Sequence, residues 1–277
     1  MEALRRKGFT NSMIEGFFRP FFSGVFLETQ LETSSRLFEF VFRIFASGDT
    51  ALPAEGIGAI PHQIAAVLPK GAIMTGMRVE SIRDGGVRLE SGETIRAGAL
   101  VIATGGHEAA RLLGDPGESA TRGVTCLYFA AQEPPVREPI LVLNGERRGP
   151  VANLCVLSQV ARSYAPQDQE LISVTVLGIP QDELQIEAAV REHLTEWFGK
   201  KVKDWRHLRT YRIPHALPVQ LPPLHHPLRQ RVRLRQGLFV CGEYGGVASI
   251  QWAMFSGRRA AEAVLEEVAG VQPHNPF

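Results

Sequence analysis

The spacing of apolar positions changes character along the chain. It is helical through about residue 68, short-period to about residue 97, continuous at 99–103, alternating from 124, and helical again at 182–199 and 249–269. Thr10 or Asn11 is placed to cap a helix through MIEGFFRPFF, which Pro20 is expected to interrupt or kink. A second helix is predicted from Thr33 or Ser34 through SRLFEFVFRIFA to Gly48, with Arg36, Glu39 and Arg43 sharing one face. Leu37, Phe38, Phe40, Val41, Phe42, Ile44 and Phe45 cover the rest of it. A helix so broadly apolar needs protein on several sides, or else forms one wall of a passage for a greasy ligand. Ile60 to Leu68 reads as a short helix with Pro61 near its first turn.

From residue 72 the segments IMTGMRVESIRD, GVRLES and ETIRAG are parted by Asp84-Gly85-Gly86 and Ser91-Gly92, which predicts a small antiparallel meander. It leads into GALVIATGG, an unbroken apolar run of the kind that fills a buried parallel strand, followed by a helix through His107 to Leu113. Residues 124–178 alternate as strands do. QDELQIEAAVREHLTEWFG carries an apolar stripe of Leu184, Ile186, Ala189, Val190, Leu194 and Phe198. A strand-like stretch from 205 turns proline-rich before 226. The chain then closes with strand GLFVCG, loop EYGGVA and a helix from Ser249. The fold class is α/β, mixing helices with parallel and antiparallel sheet.

Composition narrows the function only by exclusion. A formal charge of +1 over 277 residues provides no field to draw the protein to nucleic acid. Cys126, Cys155 and Cys241 are scattered, which fits neither a disulfide framework nor a metal knuckle and suggests a reducing compartment. The opening MEALRRKGFTNSM has no apolar signal region, and no apolar run is long enough to span a bilayer, so the expected location is the cytoplasm. His225-His226 has no carboxylate or cysteine at ligand spacing, so no metal site is expected. Arg229, Arg231, Arg233 and Arg235 alternate and would line one face of a strand. A solvated edge is the favoured reading, and a phosphate or membrane-surface patch is the alternative.

The chemistry concentrates in GLFVCGEYGGVASIQWAMFSGRRAAEAVL, residues 237–265. A strand that ends at a helix N-terminus makes an anion site, because the first amides are unpaired and lie at the positive end of the helix dipole. Ser249 is a suitable cap, and Gly242, Gly245 and Gly246 let the backbone approach a ligand. Ser256, Gly257, Ala260 and Ala261 allow the helix to lie close on a sheet, and core packing is the expectation for Trp252.

This stretch resembles the C-terminal flavin motif of the FAD-dependent amine oxidase superfamily, which includes phytoene desaturases and protoporphyrinogen oxidases. The matching elements are Gly242-Glu243, Ser249-Ile250-Gln251 and Ser256-Gly257-Arg258-Arg259-Ala260-Ala261. The resemblance implies an FAD cofactor with Gly242 and Glu243 beside its ribityl–pyrophosphate part. The amides of Ile250 and Gln251 would then face the pyrimidine edge of the isoalloxazine, where reduced flavin gathers negative charge. The segment MRVESIRDGGVRLESGETIRAGALVIATGG is similar to the family's meander and ATG strand, which implies contacts from Val79 to the adenine end and from Ala103, Thr104 and Gly105 to the dinucleotide. Tyr244 would lie near the ring.

The implied division is a helical part of a substrate domain at 1–55, an FAD-domain portion at 56–115, a mostly antiparallel substrate domain at 116–226, and the FAD-domain strand and helix at 227–277. The implied reaction is hydride transfer from a small, largely apolar substrate to flavin, with amines, polyenes and porphyrinogens all open and phenylalanine content leaning toward polyenes. No side chain is assigned a catalytic role, and contact with a membrane surface is left open. Such folds also carry GxGxxG after a first strand, and these 277 residues hold none; Gly56-Ile57-Gly58 lacks the third glycine and has Pro61 where the helix would begin. The expectation is therefore a Rossmann-like sheet with its first strand missing and weak FAD binding by this chain alone. A missing N-terminal segment or a second chain would complete it; the alternative is a cofactor-free remnant or partner-completed subunit.

Overall fold

The computed structural model describes residues 1–115, 120–222, 231–243 and 247–270. In chain order the elements are α1 (Glu2–Arg6), α2 (Asn11–Met13), a π-helical turn (Ile14–Phe18), α3 (Arg19–Phe26), α4 (Ser35–Ser47) and α5 (Ala59–Ala66). Then come β1 (Val79–Arg83), β2 (Gly86–Leu89), β3 (Thr94–Arg96), β4 (Leu100–Ile102) and α6 (Gly106–Leu113). Next are β5 (Thr121–Ala131), β6 (Leu141–Leu143), β7 (Val151–Val156), α7 (Leu157–Val160), β8 (Glu170–Leu177) and α8 (Glu183–Phe198). The last elements are β9 (Arg206–Pro218), β10 (Arg233–Arg235), β11 (Leu238–Val240) and α9 (Ile250–Ala269). None of the helices among the described residues is long and apolar enough to cross a membrane.

The chain divides into two units, residues 1–68 with 122–217 and residues 69–121 with 218–277. Residues 56–68 therefore group with the first unit, although the sequence places them with the second. The backbone explains this: Ser163 Oγ donates to the carbonyl of Ala54 at 2.5 Å and Tyr164 Oη to that of Pro53 at 2.9 Å, anchoring the lead into α5 on the first unit.

In the first unit, a five-stranded sheet of order β6-β7-β8-β5-β9 packs one face on α8. Strand β8 alternates buried and half-buried residues along its whole length, as a sheet covered on one face requires. Its Ile172, Val174 and Val176 meet Leu127 and Phe129 of β5, Leu154 and Val156 of β7, and Ile186, Val190 and Leu194 of α8. Through those last residues the predicted stripe is the packed face of α8. His193, which the stripe omitted, is buried with it.

Thr10 caps α2, its Oγ1 accepting from the Met13 amide at 3.2 Å. Pro20 does not break the helical run. It sits in the first turn of α3, just after the π-turn, where a missing N–H costs little. Phe18, Phe22 and Phe26 are buried on this run, and Phe38 of α4 packs edge-on against Phe22 at 4.8 Å. The outer side of α4 is exposed: Phe40 is 39% and Ile44 52% accessible. One face of that helix is core and the other has no cover among the described residues.

In the second unit, β1, β2 and β3 form the expected antiparallel meander. Gly86 is obligatory there, since a Cβ would lie 2.0 Å from the Ile95 carbonyl. A second sheet has the order β10-β11-β4, with β11 parallel to β4 and antiparallel to β10. Ile102, Leu238 and Val240 pack on Ala109 of α6. Strand β10 is an exposed edge, and Arg233 reaches Glu267 of α9 at 2.8 Å. Arg229 lies outside the described residues, as do His225 and His226.

Candidate functional site

Strand β11 delivers the chain to Gly242, whose φ of +95° only glycine adopts without strain. The Gly242 amide donates to Ser256 Oγ at 2.9 Å, and that buried hydroxyl donates to the Ala253 carbonyl at 3.1 Å. Ser256 therefore does more than leave room for close packing. It ties the turn after β11 to the second turn of α9. The sequence pattern does not announce this bond, although a serine among alanines on a packed helix face is its visible sign.

At the tip of α9, Ser249 is the N-cap. Its Oγ accepts from the Trp252 amide at 3.1 Å and its carbonyl from the Ala253 amide at 2.9 Å. The amides of Ile250 and Gln251 remain, without an acceptor among the described residues. Ser249, Ile250 and Gln251 are all exposed, so the positive end of a 20-residue helix stays open. Trp252 is buried as expected, but its indole Nε1 has no hydrogen-bond partner among the described residues.

The second half of the site is the loop from β4 into α6. Ala103, Thr104 and Gly105 are exposed there, and Gly105 is the N-cap of α6. Glu243 crosses to this loop: its Oε1 accepts from the Gly106 amide at 3.0 Å. Placed at a helix N-terminus, the carboxylate satisfies a donor that would otherwise be orphaned and complements the helix dipole. Gly242 approaches the same loop, since a Cβ on it would lie 3.5 Å from the Thr104 carbonyl. Glycine, acid, loop and helix tip thus form one connected assembly.

Val79 stands apart from it. Its carbonyl accepts from Arg111 Nη2 at 3.0 Å, while Arg111 Nη1 donates to the Glu80 carbonyl at 2.8 Å. The same guanidinium pairs with Glu108 and holds that carboxyl below its usual range. Arg111, which no sequence argument singled out, clamps the meander onto α6. Tyr244, Gly245 and Gly246 lie outside the described residues.

Glu243→Ala should leave the buried Gly106 amide without an acceptor and cost about 1–3 kcal/mol. Glu243→Gln keeps an oxygen in place and should recover most of that loss in urea unfolding. Equal destabilisation by both variants would mean that charge, not the hydrogen bond, holds the loops.

The profile of one protein family, described as flavin containing amine oxidoreductase, matches residues 1–265. The chain belongs to that family. Its members are FAD-dependent oxidoreductases. No curated protein matches the sequence. Among solved structures, the chain is similar to an oxidoreductase from Methanosarcina mazei at 19% identity and a TM-score of 0.68, covering 94% of this chain and 67% of that one. It is similar to a reduced UDP-galactopyranose mutase at 14% identity and a TM-score of 0.72, covering 98% and 69%. Cyclohexylamine oxidase from Brevibacterium oxydans shares the fold at 15% identity and a TM-score of 0.53, covering 77% and 53%. At these identities the likeness establishes the α/β fold.

The amine oxidoreductase assembly of the second unit fits part of the cofactor. An exposed helix tip, two amides without an acceptor among the described residues and a positive-φ glycine suit the electron-rich edge and linking chain of a flavin nucleotide. The 277 residues contain no GxGxxG motif.

Proposed function

We propose that this chain provides the C-terminal part of the flavin site and the substrate-bearing sheet of an oxidoreductase acting on a largely apolar organic molecule. FAD, when bound, supplies the two-electron acceptor. Ile250 and Gln251 would hold its pyrimidine edge by main-chain N–H groups, with Gly242 and the loop of Ala103, Thr104 and Gly105 along the ribityl–pyrophosphate part. Glu243 keeps that loop in register through Gly106. Val79 would reach the adenine end through its backbone. The observation that carries the reading is the open tip of α9, braced by the Ser256–Gly242 and Glu243–Gly106 bonds. The phenylalanine layer of α3 and α4 supports an apolar substrate.

A second reading has its own support. Strand β4 directs the backbone groups of Leu100 and Ile102 to β11, which leaves those of Val101 and Ala103 facing the other edge. That edge has no strand among the described residues, and Val101 is 38% exposed. A sheet open at this point suits completion by another segment, from a longer chain or from a partner, so that the 277 residues alone hold FAD weakly.

Both readings meet in one titration. With amide resonances assigned, millimolar FAD should shift Ile250, Gln251, Gly242 and Gly105 while leaving the protein colourless after gel filtration. Stoichiometric yellow protein would sink the requirement for completion. Shifts absent from α9, or confined to the first unit, would sink the flavin site.

A further inference from the structure

His193 of α8 lies in the first unit, remote in sequence from every residue assigned above. It is only 4% exposed. Its Nδ1 accepts from the Val151 amide at 3.3 Å, which places the proton of the neutral ring on Nε2, and Nε2 is buried without a partner among the described residues. The ring stands edge-on to Trp197 at 4.7 Å. It also presses on Gly149 so closely that a Cβ there would fall 2.4 Å from Nδ1. Imidazole and glycine are fitted to each other.

The segment held in this way is the hairpin between β6 and β7. Asn144 braces it from within: its Nδ2 donates to the carbonyls of Arg148 and Val151 at 2.7 Å, and its Oδ1 accepts from the amides of Glu146 and Arg147 at 3.2 and 3.1 Å. These four bonds make the tip one braced unit. Arg147, at a positive φ of 59°, reaches Glu15 at 3.1 Å, and Glu15 also carries the buried Arg19 of α3 at 2.7 Å. Asn144, Arg147, Gly149 and Pro150 line a cleft of about 530 Å³ together with Arg19 and Ser23.

We propose that His193 is an acid-sensitive latch that seats the β6–β7 hairpin, and with it the part of this cleft the hairpin lines, against α8. A second proton can enter only at Nδ1, where it would face the Val151 N–H. Donor would then meet donor, and a charge would sit in a site with no acceptor for Nε2. The charged groups facing the ring are Glu146 and Arg148 from the hairpin and Glu196 from α8. Burial acts first to lower the affinity of the ring for a proton, opposed by the two glutamates and reinforced by Arg148. Linkage sets the sign. An unfolded or released ring takes its proton near pH 6.5, but the seated ring takes it only at lower pH. The latch therefore holds fully above about pH 6.5 and weakens as pH falls below it, by up to about tenfold in the open-to-closed ratio per pH unit.

Hydrogen exchange of residues 144–152, corrected for the intrinsic pH dependence, tests this between pH 7.5 and 5.5. The wild-type hairpin should open more at the acid end, by up to roughly tenfold. His193→Asn, whose Oδ1 can accept from the Val151 amide but does not titrate, should show a flat profile. A flat wild-type profile, or the same rise in both proteins, overturns the proposal. Should His193→Asn fail to fold, the imidazole of His193 can be titrated by NMR in the wild type. A midpoint below 6.5 that moves with the Val151 amide shift supports the latch, and a midpoint at or above 6.5 refutes it.

Discussion

Arg122→Ala should lower the unfolding free energy by about 3–5 kcal/mol in urea titration, because it removes the cationic partner of a buried carboxylate. Glu28 is 8% exposed and pairs with Arg122 at 3.2 Å. The same guanidinium donates to the Phe26 carbonyl at 2.9 Å and to Thr33 Oγ1 at 3.0 Å, so it also fastens the end of α3 to the start of β5. Burial alone would raise the Glu28 pKa. Hydrogen bonds from Thr33 and the Glu32 amide, with the Arg122 charge, outweigh it and hold the pKa below 4.5. A carboxyl depressed in the fold contributes its stability above its unfolded pKa and loses it as pH falls through the folded value. The deficit of Arg122→Ala should thus be largest near neutrality and shrink below about pH 4.5. A deficit that is flat across pH 3–7 would show that Arg122 matters for packing alone.

Phe129→Ala should cost a comparable 3–5 kcal/mol, here through a cavity. Phe129 is fully buried on β5, the strand between β8 and β9, and belongs to the apolar core of the first unit. Trp205 lies 6.1 Å and His207 5.5 Å from its ring centre, and the Arg191 guanidinium stands over the ring at 4.9 Å. The start of β9 and helix α8 both close on this side chain, leaving little freedom to collapse into the space. Phe129→Leu should recover more than half of the loss. If Phe129→Ala costs less than about 1 kcal/mol, the core of the first unit is looser than its packing implies.

The site of the second unit depends on bonds that are individually modest. Ser256 and Glu243 each hold one amide, and Gly242 supplies one unusual dihedral. Their importance is positional. Together they set where the tip of α9 stands against the loop after β4, and the amides that the proposed flavin site would use belong to the backbone itself. Side-chain substitutions at Ile250 or Gln251 should therefore matter less to cofactor affinity than changes at Gly242, whose φ of +95° any Cβ would strain.

Local signals in the chain specified most of the elements. Alternation in β8, the stripe of α8, the Thr10 and Ser249 caps and the meander turns act over a few residues, so they can be read directly. The glycine, acid, serine and small residues of 242–261 were legible for the same reason, and they carried the family assignment. Pairings between distant residues were not legible. Glu243 on Gly106 spans 137 positions, Arg122 on Glu28 spans 94, and Val151 on His193 spans 42. Sequence spacing carries no information on which of many donors a carboxylate or imidazole will meet, because the partner is chosen by how the elements pack. The chain by itself determined its helices, its strands and its flavin-type motif. Only the tertiary structure decided that Glu243 is a bridge between two loops, that Pro20 comes after a π-turn without breaking the helix, and that a histidine on the packed face of α8 accepts from the Val151 amide at the end of a hairpin.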